Sequence, residues 1–377
     1  MKPVLRILGI RGIPAAHGGF ESFAETLALH LVAQGWEVTV YCQAEGRGPI
    51  DVDLWRGVLR ITIPVQATGT LGTMSFDWRA IQHAATQPGL CLTLGYNTAI
   101  FCARLRLAGV PNIINMDGIE WQRAKWGPLA KAWFWLNEHA GCWLGNHLIA
   151  DHPQIRAHLA RQVDASHIST IPYGADRVRP RHDIDLARFG LDSGRYLTVI
   201  ARPEPENSIL EIVSAFSARP RGLQLAVLGA YDAQQPYHAR VQAAASDEVV
   251  FLGPVYDKPV VQQLRAHGLA YLHGHRVGGT NPSLVEALGA QNAVFAHDNA
   301  FNRWVAGPGA LYFRDAATLD RELTVALADP PRLQAMREAS ARRHEDGLTQ
   351  DAVMAQYRML LERSLPQPAV LRATAGR

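Results

Sequence analysis

The sequence predicts an α/β protein of two similar halves, each a parallel sheet flanked by helices, and three observations carry that prediction. An apolar strand, a glycine loop, an amphipathic helix and a second strand follow one another from the N-terminus. The same order recurs after Arg195. A third stretch, YLHGHRVGGTNPSLVEALGAQNAVFAHDN from Tyr271 to Asn299, again sets a strand, a glycine loop, a helix start and a strand end to end. Such alternation builds parallel sheets. At 377 residues, 48% of them hydrophobic, the chain is long enough for two domains of about 100 to 200 residues with a full core in each.

Taken in order, Val4 to Gly9 reads as a buried strand and the segment to Gly19 as a glycine loop. Phe20 to Gln34 reads as a helix with Phe20, Phe23, Leu27 and Leu31 on one face, stopped by Gly35 before the strand Trp36 to Cys42. The apolar run Val110 to Met116 ends at Asp117-Gly118. At Ile171 to Asp176 a Pro and Gly turn leads into the charged RVRPRHD, which places a hinge between residues 1–174 and 175–349. The second half opens with the strand Tyr196 to Ala201, a proline-rich loop and the helix Ser208 to Phe216. A last helix, 350–365, carries Val353, Tyr357, Leu360 and Leu361 at helical spacing, and the Pro, Ala and Gly tail 366–377 is expected to be disordered.

Composition excludes several function classes. A formal net charge of +3 with 19% charged residues is too balanced for a nucleic-acid binder resting on clustered cations. Cys42, Cys91, Cys102 and Cys142 lie in apolar surroundings without CxxC spacing, so neither a zinc site nor a disulfide scaffold is expected and a reducing cytoplasm fits. Arg6, Arg11 and Pro14 interrupt the N-terminus before an apolar run becomes long enough for a signal peptide or a membrane span.

The Tyr271 to Asn299 stretch has the makings of an anion site. Leu272 to His275 closes a strand, Gly278 and Gly279 let a ligand approach the backbone, and Asn281 caps a helix whose first residue is Pro282. Free amides at such a helix start, with the dipole behind them, favour a phosphate. Glu286, in the second turn, offers a carboxylate for hydroxyls, and phosphates beside a polyol suggest a sugar nucleotide. Arg202 follows a strand at the carboxyl edge where α/β sheets bind ligands, and its fork suits a diphosphate.

Other positions each have two readings. Gly9, Gly12, Gly18 and Gly19 do not have GxGxxG spacing, and no acid follows Tyr41-Cys42-Gln43 to hold a ribose, so a dinucleotide site is disfavoured. Gly18-Gly19 is either a phosphate- or sugar-approach loop or a plain tight turn. His273 and His275 have HxH spacing without a third ligand, which points to packing or phosphate contact rather than metal. Asp117 is either a cleft carboxylate for a sugar hydroxyl or an ordinary Asp-Gly turn. Trp121, Trp126, Trp133, Trp135 and Trp143, five of nine tryptophans, interleave with Arg123, Lys125 and Lys131. They form an interhelical core with solvated cations around it, a lipid-facing surface, or both.

Together, GIRGIPAAHGGFESFAETLALHL, NMDGIEWQRAKW, IPYGAD, ARPEPENS and HGHRVGGTNPSLVEALGAQNAVFAHDNAFNR resemble the rhamnosyltransferase-like branch of the retaining glycosyltransferases of the GT-B fold, the family 4 type, over nearly the whole chain. The resemblance implies two Rossmann-like domains with parallel sheets facing a central cleft. The C-terminal domain would grip a nucleotide diphosphate-sugar, the N-terminal domain the acceptor, and the last helix would return to the N-terminal domain. It implies that Glu286 holds the nucleotide ribose, Gly279 and Thr280 contact the diphosphate through their backbone, Arg202 neutralises the leaving group and Asp117 contacts the transferred sugar. Gly18, Gly19, Asn207, His275, Arg276, Gly278 and Asn281 complete the expected donor site, and Glu120, Arg123 and Lys125 fall on the acceptor or membrane side.

Two positions depart from the wider superfamily: Gly278 stands where a Glu is usual, eight residues before Glu286, and Asn207 where a Lys is usual, five after Arg202. His275 or Arg276 would have to compensate. The implied activity moves a hexose or 6-deoxyhexose, rhamnose favoured, from dTDP-rhamnose or a UDP- or GDP-hexose to a hydroxyl of a cell-surface polysaccharide or lipid-linked glycan precursor. The configuration is retained by front-face displacement, without cofactor, metal or nucleic-acid partner, in the cytoplasm and peripherally at the inner membrane. A sugar-nucleotide 2-epimerase of the same fold and a non-catalytic sugar-nucleotide-binding partner are the alternatives.

Overall fold

The computed structural model describes residues 2–15, 18–181 and 184–365; the disorder expected for 366–377 concerns residues outside that range. The chain divides into two compact units. One holds the described residues of Met1–Ile171 and Met354–Arg377, the other Pro172–Val353.

The first unit is built on eight strands: β1 (Val4–Leu8), β2 (Glu37–Glu45), β3 (Asp51–Trp55), β4 (Val58–Val65), β5 (Leu90–Leu94), β6 (Asn112–Asn115), β7 (His147–Ala150) and β8 (Ile168–Thr170). Their order is β3-β4-β2-β1-β5-β6-β7-β8. All neighbours run parallel except β3 and β4, an antiparallel hairpin closed by Arg56 and Gly57, both at positive φ. β1 reads as near-continuous apolar residues because both its faces are covered, and Leu5, Ile7 and Leu8 are buried. The helix Gly19–Ala33 buries Phe23, Ala24, Leu27, Ala28 and Leu31 and stops before Gly35 at φ 84. β2 runs three residues beyond the expected end at Cys42, because β4 offers it backbone partners as far as Glu45. In the last helix, Gln350–Arg363, Tyr357 packs its ring 4.7 Å from Phe23, and its hydroxyl accepts from Asn115 Nδ2 at 2.8 Å. All four cysteines are buried, and burial pushes the thiols of Cys91, Cys102 and Cys142 up to about 12.

The second unit is a six-stranded parallel sheet: β9 (Tyr196–Ile200), β10 (Gln224–Leu228), β11 (Val249–Gly253), β12 (Ala270–His273), β13 (Ala293–His297) and β14 (Leu311–Phe313), ordered β11-β10-β9-β12-β13-β14. Successive side chains serve opposite faces. Leu197, Val199, Leu272 and Phe295 pack with Ile212 and Phe216 of the helix Ile209–Ser217. Tyr271, Val294 and Ala296 pack with Leu284, Val285 and Leu288 of the helix Pro282–Gly289. Each such aliphatic or aromatic side chain contributes about 1.5–3 kcal/mol by leaving water. β12 ends at His273 rather than at the expected His275, because at Gly274 the chain turns in against the loop that follows β9.

Candidate functional site

In the second unit β9 is the first strand in sequence, with β10 on one side and β12 on the other. The strand order reverses between β9 and β12, and ligands of open α/β sheets bind outside the carboxyl ends of the strands at such a point. The two loops that leave this edge carry most of the expected donor residues. They touch through backbone: Arg276 N–H donates to the Glu206 carbonyl at 2.9 Å, and a Cβ on Gly274 would stand 2.1 Å from the Asn207 carbonyl oxygen. Arg202 stands on the first loop with 71% of its side chain exposed and Glu204 Oε1 3.8 Å away. That pairing is too loose to hold it from an anion.

Asn207 and Arg276 have other engagements. Asn207 is buried, and its Nδ2 donates to the Arg202 carbonyl at 2.8 Å, so it shapes the loop that presents Arg202. The Arg276 guanidinium donates to Ser208 Oγ at 2.8 Å and pairs with Glu211 at 2.5 Å. To compensate for the missing lysine it would have to share or leave these partners. His275 stacks on His273 with ring centroids 4.4 Å apart, and its carbonyl accepts from Asn299 Nδ2 at 3.0 Å and Asn302 Nδ2 at 2.8 Å. Burial, helped by the neighbouring His275 and His297, holds His273 well below the usual imidazole range, so its ring is neutral at physiological pH. Among the described residues no group of three or more His, Cys, Asp or Glu is placed to hold a metal ion.

The helix start is formed as its residues require. Gly278 takes φ 121, which side chains resist, with open space where a Cβ would be. Thr280 is buried, Asn281 Oδ1 accepts from Ser283 N–H at 3.0 Å, and Pro282 takes the first helical position, where no amide hydrogen is missed. Ser283 Oγ donates to the Ile200 carbonyl at 3.2 Å and lies 2.7 Å from Tyr271 Oη, which ties the helix to the end of β9. Glu286 Oε2 lies 2.7 Å from Nη2 of Arg265, a buried arginine on the helix Lys258–Ala266. Sequence reasoning missed Arg265, Ser283 and the two asparagines. The asparagines do carry a signal in the HDNAFN run, but Arg265 sits in an ordinary amphipathic stretch.

In the first unit Asp117 lies two residues beyond β6 at φ 51, a left-handed conformation uncommon for a residue with a side chain. Its N–H donates to Asn115 Oδ1 at 3.0 Å. Burial, and then the charge of Glu120, push its carboxyl up to about 6. The left-handed backbone is what an Asp-Gly turn allows, and the raised carboxyl is what sets Asp117 apart from an ordinary one. Glu120 accepts from Arg123 Nη1 at 2.8 Å and Trp126 Nε1 at 3.0 Å, with the Lys125 ammonium 4.8 Å from the Trp126 ring centroid. Glu120, Arg123 and Lys125, expected on the acceptor or membrane side, thus cluster beside the loop that carries Asp117. Gly18 and Gly19 open the helix Gly19–Ala33, but a Cβ on Gly18 would lie 2.9 Å from Glu21 Oε2. A carboxylate so close suits hydroxyls better than phosphates.

The tryptophan stretch departs from the interhelical-core expectation. On the helix Pro128–Leu144 the buried residues are Asn137, Glu138, Gly141 and Cys142, whereas Leu129, Trp135, Leu136 and Trp143 are exposed. Asn137 and Glu138 can take the inner face because their polar atoms are hydrogen-bonded there. Asn137 Oδ1 accepts from Ile100 N–H at 3.0 Å, and Glu138 accepts from Trp121 Nε1 at 2.9 Å and Gln162 Nε2 at 3.0 Å, with His158 Nε2 at 2.8 Å. Burial raises the Glu138 pKa, but the His158, Trp121 and Gln162 contacts together outweigh it and the net shift is downward. Among the described residues no helix is long and apolar enough to cross a membrane.

Comparison with known proteins fixes what this architecture is. Sucrose-phosphate synthase from Thermosynechococcus elongatus superposes with a TM-score of 0.79 at 19% identity, over 96% of this chain and 99% of that one. The chain has the GT-B fold. HepE from Anabaena, solved in complex with UDP and glucose, superposes with a TM-score of 0.75 at 14% identity, over 96% of this chain and 100% of that one. Trehalose 6-phosphate synthase from Burkholderia multivorans gives 0.72 at 13% identity, over 96% and 97%. A family model described as a domain of unknown function, DUF1972, matches residues 1–176. No curated protein matches the chain.

Proposed function

We propose that the chain is a glycosyltransferase whose second unit holds a nucleotide diphosphate-sugar. One observation carries the reading: exposed Arg202 and the amide-presenting start of the helix Pro282–Gly289 leave adjacent strands at the point of strand-order reversal, with Glu286 in the second turn. The GT-B fold and the UDP and glucose bound by HepE support it.

As the donor's glycosidic bond breaks, negative charge gathers on the departing diphosphate. Exposed Arg202 is free to meet that charge and the helix amides are held by the fold, and such donors are worth about 3 kcal/mol each when well placed. Glu286 accepts from the pentose and positions the nucleotide. The acceptor hydroxyl attacks the face the diphosphate leaves and passes its proton to a departing phosphate oxygen, which retains the anomeric configuration. Asp117, in the first unit, is a carboxylate suited to a sugar hydroxyl. Since arginine and helix amides supply the positive charge, the reaction needs no divalent ion. The rhamnosyltransferase-like motifs favour a 6-deoxyhexose donor, and the exposed aromatic face of Pro128–Leu144 favours an acceptor carried on the inner membrane surface.

Incubation with dTDP-rhamnose, UDP-glucose, UDP-N-acetylglucosamine and GDP-mannose, with and without a lipid-linked saccharide, tests this directly. Acceptor-dependent release of the nucleoside diphosphate with a lengthened glycan is the expected outcome. A donor isomerised in the absence of acceptor would instead identify an epimerase, and a nucleotide bound tightly but never cleaved would identify a binding partner.

A further inference from the structure

Glu286 comes with a guanidinium attached. Arg265 keeps only 3% of its side chain exposed, against 37% for Glu286, and its Nε–H has no hydrogen-bond partner. Burying an arginine in this incompletely bonded state costs stability. Its Nη2 lies 2.7 Å from Glu286 Oε2 and donates to Ser283 Oγ at 2.8 Å, and its guanidinium carbon lies 6.0 Å from the Tyr271 ring centroid. Ser283 is itself fixed to the Ile200 carbonyl, Tyr271 Oη and Asn281 Oδ1. Arg265 is thus a rigid anchor, and the carboxylate tied to it is the one expected to meet the nucleotide's pentose.

We propose that Arg265 is the positioning residue for Glu286: it draws Oε2 inward and leaves Oε1 as the single outward acceptor, so the site grips one pentose hydroxyl and admits 2′-deoxyribose about as readily as ribose. The proposal rests on the nucleotide-sugar reading above. A carboxylate clasps both hydroxyls of a ribose most directly by turning one oxygen to each. A carboxylate oxygen held by a buried arginine keeps a lone pair but is fixed in direction, so the other oxygen is the one free to turn to the pentose. The 3′-hydroxyl common to both pentoses then suffices, and the discrimination against deoxynucleotides that a two-oxygen clasp would impose is absent.

Calorimetric titration of the full chain tests this, using whichever of UDP and GDP binds more tightly, together with its 2′-deoxy form. The variants are Arg265→Gln, Arg265→Lys, Glu286→Gln and the Arg265→Gln/Glu286→Gln double. The wild type is expected to bind ribo and deoxy forms within about 3-fold of each other. Each Arg265 variant is expected to weaken both by about 10-fold, as misplacement of a binding group does. The double variant should bind no more weakly than Glu286→Gln, because Arg265 acts through that carboxylate. Arg265→Lys preserves the buried charge and supplies the answer if Arg265→Gln does not fold. Wild-type affinity in the Arg265 variants, or single losses that multiply in the double, would overturn the positioning role. A loss greater than about 10-fold on removing the 2′-hydroxyl would overturn the one-hydroxyl grip. Failure of the wild type to bind UDP, GDP or dTDP would instead remove the nucleotide-sugar reading on which both rest.

Discussion

Gly274 lies against Asn207 so closely that an added Cβ would stand 2.1 Å from the Asn207 carbonyl oxygen and 2.9 Å from Ile212 Cδ1. This contact brings the loop after β12 against the loop after β9. Gly274→Ala should force the two apart, lowering stability by about 1–3 kcal/mol as overpacking does and weakening nucleotide binding as well. Chemical denaturation and calorimetry read the two effects, and a variant with wild-type values in both would show the loops to be independent.

Arg202 makes little of the fold, since most of its side chain is in solvent. Arg202→Ala should therefore change stability by no more than about 0.5 kcal/mol while lowering kcat about 100-fold through lost stabilisation of the leaving diphosphate. A comparable fall in thermal stability would mark the residue as structural.

Arg276 divides its guanidinium between Ser208 and Glu211. If it also meets the diphosphate in place of the absent lysine, Arg276→Ala should weaken nucleoside diphosphate binding about 10-fold, in the range of a charge-assisted hydrogen bond. Unchanged affinity by calorimetry would confine Arg276 to the loop contact.

Asp117 has a folded-state pKa of about 6, above the 3.8 of a free aspartate. The folded chain therefore binds this proton more tightly than the unfolded chain does. The penalty for ionising it is absent below about pH 4, grows as pH rises towards 6 and is complete above that. Asp117→Asn should gain on the order of 1 kcal/mol over the wild type at pH 8 relative to its difference at pH 4. The comparison across pH matters because asparagine also tolerates positive φ. Denaturation at both pH values measures it, and a pH-independent difference would show Asp117 to be freely ionised. Transfer activity should rise through pH 6 in the wild type as the carboxylate forms.

The exposed face of Pro128–Leu144 should bind anionic vesicles. Leu129 at 89% and Trp143 at 74% exposure contribute almost nothing to the core, so replacing both with Glu should leave stability within about 0.5 kcal/mol. Co-sedimentation with vesicles should fall several-fold. Equal sedimentation of variant and wild type would place the lipid contact elsewhere or dismiss it.

What the sequence revealed and what it hid follow from how local each feature is. β1, the helix after it and the Asn281-Pro282 helix start are written in consecutive residues, so periodicity and capping chemistry suffice to find them. The hairpin β3–β4 escaped because its turn, Arg56-Gly57, lacks the usual Asn-Gly or Asp-Gly pair. Arg265 lies 21 positions before Glu286 on another helix, and only folding brings the two together. The inversion of Pro128–Leu144 was hidden for a related reason. The Trp121, His158 and Gln162 side chains that make the burial of Glu138 tolerable come from two other segments, 17 to 24 positions away in sequence.

The buried thiols have a practical consequence. A thiol reacts through its thiolate, and Cys91, Cys102 and Cys142 are held near 12 while Cys42 is raised as well. Native cysteines therefore need not be removed before site-specific labelling. One cysteine introduced on an exposed surface would take a maleimide dye or spin label selectively, so donor binding can be followed by fluorescence or resonance in an otherwise unaltered chain.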